Sequence, residues 1–155
     1  MADRPLIEPG PPPTQGPPLL ALVRPAEFAF HDELLASLVG RLRSAGLIAE
    51  HEIDLATHCL HEALANAIVH GARGRGSLRV ELHAADGRWT LAIDDGGSGF
   101  AADTVPANGA AGLSGRGRGI RIMRAFVDDL RWYRGGACAV LTRRCTGLRL
   151  MDTHS

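Results

Sequence analysis

Glu62, Asn66 and His70 stand at i, i+4 and i+8 in a stretch whose other residues are almost all apolar. On an α-helix they form one stripe, roughly 120° from the face made by Ala56, Leu60, Ala63, Leu64 and Ala67. Ala65 and Val69 occupy the remaining faces, so the helix is apolar nearly all round and belongs in an interior. Buried polar groups need partners, and the stripe therefore points to an internal cavity or a ligand. Taken alone, Glu-xxx-Asn is also an ordinary polar helix edge.

Two further segments could do chemistry. Asp95-Gly96-Gly97-Ser98-Gly99-Phe100 ends an apolar strand pattern. A carboxylate there can accept a hydrogen bond from an exocyclic amine, and glycines after it let backbone approach a flat base. The same run is also a common turn. Gly115-Arg116-Gly117-Arg118-Gly119 lies directly before a helical pattern. Free backbone N–H groups and the positive end of a helix dipole make such a run a phosphate cradle. It follows a loop rather than a strand, which disfavours a dinucleotide-binding βαβ unit.

The elements that must position these residues follow from periodicity. Leu19–Val23 reads as an edge strand stopped by Pro25, and Ala26 to Ser44 as an amphipathic helix closed by Gly46. A second helix runs from about Glu50 to His70 and ends at Gly71. Leu78, Val80 and Leu82, then Trp89, Leu91 and Ile93, alternate as two strands about an Asp86-Gly87 turn. Residues 101–114 are small and Gly/Ala-rich, a long loop of the kind that serves as a lid. A third helix spans about Arg116 to Asp128, and strands Leu130–Arg134 and Ala137–Thr142 join at Gly135-Gly136. Hairpins with helices kept apart predict an α+β two-layer sandwich, with helices on one face of a mixed, mostly antiparallel sheet. Residues 1–18 hold seven of nine prolines and read as a disordered tail, residues 19–144 as the domain, and 145–155 as a flexible C-terminal tail.

Composition excludes several classes. The 155 residues suit one domain, and seventeen basic against seventeen acidic residues give zero formal charge. That removes the bulk electrostatic case for nucleic acid or an anionic membrane as partner. Every basic residue is arginine. Without lysine there is no P-loop and no Schiff-base chemistry. Cys59, Cys138 and Cys145 include no CxxC pair, which speaks against zinc, dithiol redox or disulfide frameworks and for a reducing cytoplasm. No run approaches the ~18 apolar residues of a membrane span, and no signal peptide pattern opens the chain. His58, Cys59 and His61 invite a metal, but no further ligand is suitably spaced, so a core cysteine between surface histidines accounts for them. Residues 115–149 carry nine arginines against two aspartates, either a docking face for an acidic protein or a solvated one.

Taken in order, the three motifs resemble a superfamily. Glu62-Ala-Leu-Ala-Asn66-Ala-Ile-Val-His70-Gly71 looks like the N box of the gyrase, chaperone, histidine-kinase and mismatch-repair ATPases. Asp95-x-Gly97-x-Gly99-Phe100 is similar to their adenine box, and Gly115-x-Gly117-x-Gly119 to their lid-end glycine box. The N box together with Gly119-Ile-Arg-Ile-Met-Arg-Ala-Phe-Val-Asp-Asp129 resembles the bacterial anti-sigma factor serine kinases in particular.

The resemblance implies a Bergerat-type ATP site. In it Asn66 would hold Mg²⁺, Glu62 would act as catalytic base toward a serine hydroxyl or water, and Asp95 would recognise the adenine amine. Gly97 and Gly99 would shape the pocket floor, and Gly115, Gly117 and Gly119 would hold phosphates under the lid. His70 would line the entrance, or serve as a cap or core residue. It also implies a sigma factor or similar partner, an anti-anti-sigma substrate protein of the STAS type, and a homodimer. Two positions depart from the family pattern. Arg118 replaces an aliphatic residue and would reach a phosphate or point to solvent. Ala137-Cys138 stands where a threonine near the base is usual, which weakens that contact. A pure binding module on the same fold and a histidine-kinase catalytic fragment are the competing readings; for the latter the chain offers no dimerisation helices with a phosphoacceptor histidine.

Overall fold

The computed structural model describes residues 7–12, 16–72, 76–97 and 115–146. Five strands form one sheet: β1 (Leu20–Pro25), β2 (Ser77–Ala85), β3 (Arg88–Asp94), β4 (Asp129–Tyr133) and β5 (Cys138–Arg144). Their spatial order is β1-β2-β3-β5-β4, and every neighbouring pair is antiparallel. The sequence left a mixed sheet open; the named strands are wholly antiparallel. Asp86 and Gly87 both adopt positive φ, 56° and 73°, which the tight β2–β3 turn requires to follow the twist of its strands.

Alternation along each strand builds the core face in rows. Leu20, Leu82, Leu91, Leu141 and Leu130 are cross-strand partners in one row; Leu22, Val80, Ile93, Ala139 and Trp132 form the next. Helices α1 (His31–Ser44), α2 (Ile53–Asn66) and α3 (Gly115–Phe126) share one hydrophobic core with these rows. Leu34, Leu38 and Leu42 give α1 its i, i+4, i+8 apolar stripe. Gly46, at φ 68°, ends α1 and lets Leu47 N–H reach back to the Leu42 carbonyl at 2.9 Å. α2 is the middle helix, touching both α1 and α3, with Ala56, Cys59, Leu60, Ala63 and Leu64 buried as its periodicity predicts. Among the described residues, no helix is long and apolar enough to cross a membrane.

A few described residues from each of the two expected tails pair with the domain. Within the proline-rich tract, Ile7 forms a parallel bridge with Trp132, Glu8 N–H donates to the Trp132 carbonyl at 2.7 Å, and Arg134 N–H donates to the Gly10 carbonyl at 3.1 Å. Extended backbone suits proline-rich sequence, and the open edge of β4 supplies its hydrogen-bond partners. Cys145 and Thr146, assigned to the C-terminal tail, are also held: Cys145 is buried, and its N–H donates to the Gly87 carbonyl at 2.8 Å. Thr146 N–H reaches the Leu47 carbonyl at 3.1 Å. The lid region 101–114 lies outside the described residues.

Candidate functional site

α2 carries Glu62 and Asn66 but does not continue as an α-helix to His70. Ala67–Ala72 forms a π turn, whose wider i→i+5 pitch breaks the i, i+4, i+8 register. This corrects the expected stripe: it ends at Asn66. His70 is half-buried within the π turn and outside the cleft described next. Gly71, which reads in sequence as a helix stop, is instead brought against Asp95.

A narrow cleft opens between the α2–π turn junction, α3 and the sheet. Asn66, Gly71, Asp95, Met123, Trp132 and Ala137 are among its walls. The row Ile93–Ala139–Trp132 forms its base, with the small Ala139 side chain between two large ones, and the cleft as it stands holds about 10 Å³, roughly the space of one water. Asn66 is 9% exposed, and its Oδ1 is buried without a hydrogen-bond partner among the described residues. Leaving such an atom unsatisfied costs about 1–3 kcal/mol, a cost that a bound cation would remove. A hard divalent ion takes oxygen ligands, so the donor present fits Mg²⁺.

Asp95 is 6% exposed at the end of β3. Its N–H donates to the Ala137 carbonyl at 2.9 Å, and its Oδ1 accepts from Gly97 N–H at 2.7 Å. Gly97 therefore holds the carboxylate rather than only shaping a floor. Gly99 lies outside the described residues. Ala137 presents a methyl group at the cleft, so no side-chain hydroxyl stands there, while Cys138 takes the opposite strand face with its partners Asp94 and Tyr133. Burial, with Asp94 adding, pushes the Cys138 thiol up to about 12.

Glu62 faces α3. A Cβ on Gly119 would stand 3.2 Å from Glu62 Oε2, so the bare glycine is what lets this carboxylate close on the helix. Gly115, Gly117 and Gly119 all lie in the first turns of α3, which begins one residue before the expected start near Arg116. Burial of Ile120, Met123 and Phe126 draws the helix back over residues that disfavour it alone. Arg118 is exposed on α3.

Behind the site, Arg143 ties the two helices together. Its Nη2 pairs with Glu52 at the start of α2, its Nη1 donates to the Phe126 carbonyl at 2.8 Å, and its guanidinium lies 4.0 Å from the Phe126 ring centroid. Thr146 Oγ1 also donates to Glu52, and Ala49 N–H does so at 3.4 Å. Burial raises the Glu52 pKa, but the Thr146 hydrogen bond and the Arg143 charge outweigh it and hold the carboxyl below its ordinary value. Sequence reading found none of this, because the partners are 91 and 94 residues apart. Cys59 is fully buried, its thiol pushed up to about 12 by burial, whereas His58 and His61 are exposed.

A larger hollow, about 810 Å³, lies on the opposite face of the sheet. Arg88, Arg131 and Arg144 line it beside Asp86, Asp128 and Asp129, so its charges offset, and the buried atoms lacking partners lie elsewhere.

The model of the histidine kinase-like ATPase domain matches residues 26–144. The chain belongs to that family, as its antiparallel sandwich and the placement of Asn66 and Asp95 lead one to expect. A search of curated proteins returned no match.

Proposed function

We propose that the protein is an ATP-dependent regulatory kinase of the anti-sigma type, which sequesters a sigma factor or similar regulator and phosphorylates a serine on a STAS-type antagonist. The observation that carries the reading is the buried Asn66 Oδ1, without a partner among the described residues, one helical turn from Glu62 and in the same cleft as Asp95. Asp95 accepts the adenine amine. Asn66 would hold Mg²⁺ through its side-chain oxygen, and the ion's charge would offset that of the phosphates. Glu62 takes the proton from the substrate serine as that oxygen bonds to the γ-phosphorus and the bond to ADP breaks. The glycine-rich first turns of α3 present N–H groups to the phosphates.

The second reading, a binding module that has lost catalysis, is favoured by the Ala137 methyl where a hydroxyl would help hold the base. Calorimetric titration of Mg-ATP into wild type and Asp95→Asn tests the adenine contact; binding only in wild type is expected. Transfer of labelled phosphate to a STAS-type protein, lost in Glu62→Ala, tests the kinase. ATP binding without transfer in wild type would leave the binding module, and no ATP binding at all would refute both nucleotide roles.

A further inference from the structure

Gly71 meets Asp95 closely enough that no side chain can stand there. A Cβ on Gly71 would lie 2.7 Å from Asp95 Cγ and 3.2 Å from its Cβ, with Oδ2 closer still. Turning the carboxylate about its own axis gives no relief, because Cγ lies on that axis. Backing the residue away is resisted too, since Asp95 N–H is tied to the Ala137 carbonyl. On the other side, a Cβ on Gly97 would lie 2.8 Å from Asp95 Oδ1 and 3.4 Å from the Gly71 carbonyl oxygen. The carboxylate thus stands in a slot between two bare glycine backbones. Gly71 is not among the glycines with positive φ, so its backbone accepts alanine without strain. The π turn brings it there: one extra residue in the turn after Asn66 places Gly71 at the end of β3.

We propose that Gly71 is a specificity-determining residue: by leaving the slot empty it lets the Asp95 carboxylate stand where it accepts the amine of a 6-aminopurine base. The inference rests on the nucleotide reading above and adds to it the residue that sets base selection. A purely helical role predicts the reverse, because alanine replacing glycine in a helical turn stabilises it.

The test compares Mg-ATP with Mg-ITP, which lacks the amine, by calorimetric titration. Wild type is expected to prefer ATP by about tenfold or more, the value of a hydrogen bond to a charged group. In Gly71→Ala, ATP affinity is expected to fall by about tenfold or more while ITP affinity changes little, so that the preference collapses. Should Gly71→Ala not fold, Gly71→Ala/Asp95→Gly, which empties the slot, is expected to restore folding. Unchanged ATP affinity and preference in Gly71→Ala overturns the inference, as does a double variant that stays unfolded. Wild type that binds ATP and ITP alike overturns amine selection. Wild type that binds neither overturns the nucleotide reading itself, a failure visible before any variant is made.

Discussion

Asn66→Leu is expected to make the protein more stable and unable to use its ligand. Among the described residues Asn66 Oδ1 has no hydrogen-bond partner to lose, and its surroundings include Ala63, Ala67 and Met123, against which a leucine of similar shape can pack. Relief of the unsatisfied oxygen is worth about 1–3 kcal/mol. For a chain of this size each kcal/mol moves Tm by roughly 2–4 °C, so the ligand-free variant should melt about 2–12 °C above wild type. Saturating Mg-ATP reverses the order: at about one thousand times Kd it stabilises wild type by about 4.1 kcal/mol, and the variant by nothing. Differential scanning calorimetry with and without Mg-ATP reads both effects. A variant that melts below wild type without ligand, or one that Mg-ATP stabilises as much as wild type, refutes the view that this oxygen is held unpaired for a ligand.

Three further outcomes are expected. Arg143→Met leaves Glu52 buried without its charge partner and should cost about 3–5 kcal/mol in urea denaturation, with Glu52→Gln/Arg143→Met recovering much of the loss. Because the Glu52 pKa is lowered in the folded state, its contribution is present above the unfolded value near 4.5 and is lost as pH falls through the folded value. Melting curves of Glu52→Gln from pH 7 downward should therefore decline less steeply than those of wild type; parallel curves would remove this role from Glu52. Deleting residues 1–10 exposes the β4 edge and removes Ile7 from the core margin, a loss of about 1–2 kcal/mol by calorimetry; an unchanged Tm would mean that the segment leaves β4 in solution.

Local periodicity made most of the fold legible. The strands around Asp86-Gly87, the Gly46 stop and the apolar face of α2 all follow from residue spacing that local sterics and burial enforce. The extent of α3 was legible to within two residues, about 116–128 in the sequence against Gly115–Phe126, and packing of Ile120 and Met123 holds it despite three glycines that disfavour a helix. The π turn was not legible at all. Ala67 to Ala72 continues the α-helical apolar pattern, and only the meeting of Gly71 with Asp95 shows where the extra residue goes.

The sequence by itself determined which groups could act: Glu62 and Asn66 one turn apart, a carboxylate at the end of an apolar strand, glycines ahead of an apolar helix, and no lysine. These are local properties, set by residue type and by the pitch of regular structure. Tertiary structure alone decided which of them share a cleft. It left both His70 and Glu62 outside the cleft walls, turned the Gly71 backbone into a wall for Asp95, set Glu62 against Gly119, and joined Glu52, Arg143 and Thr146 behind α2 and α3. Such contacts link residues far apart in the chain, where packing and burial, not spacing, choose the partner.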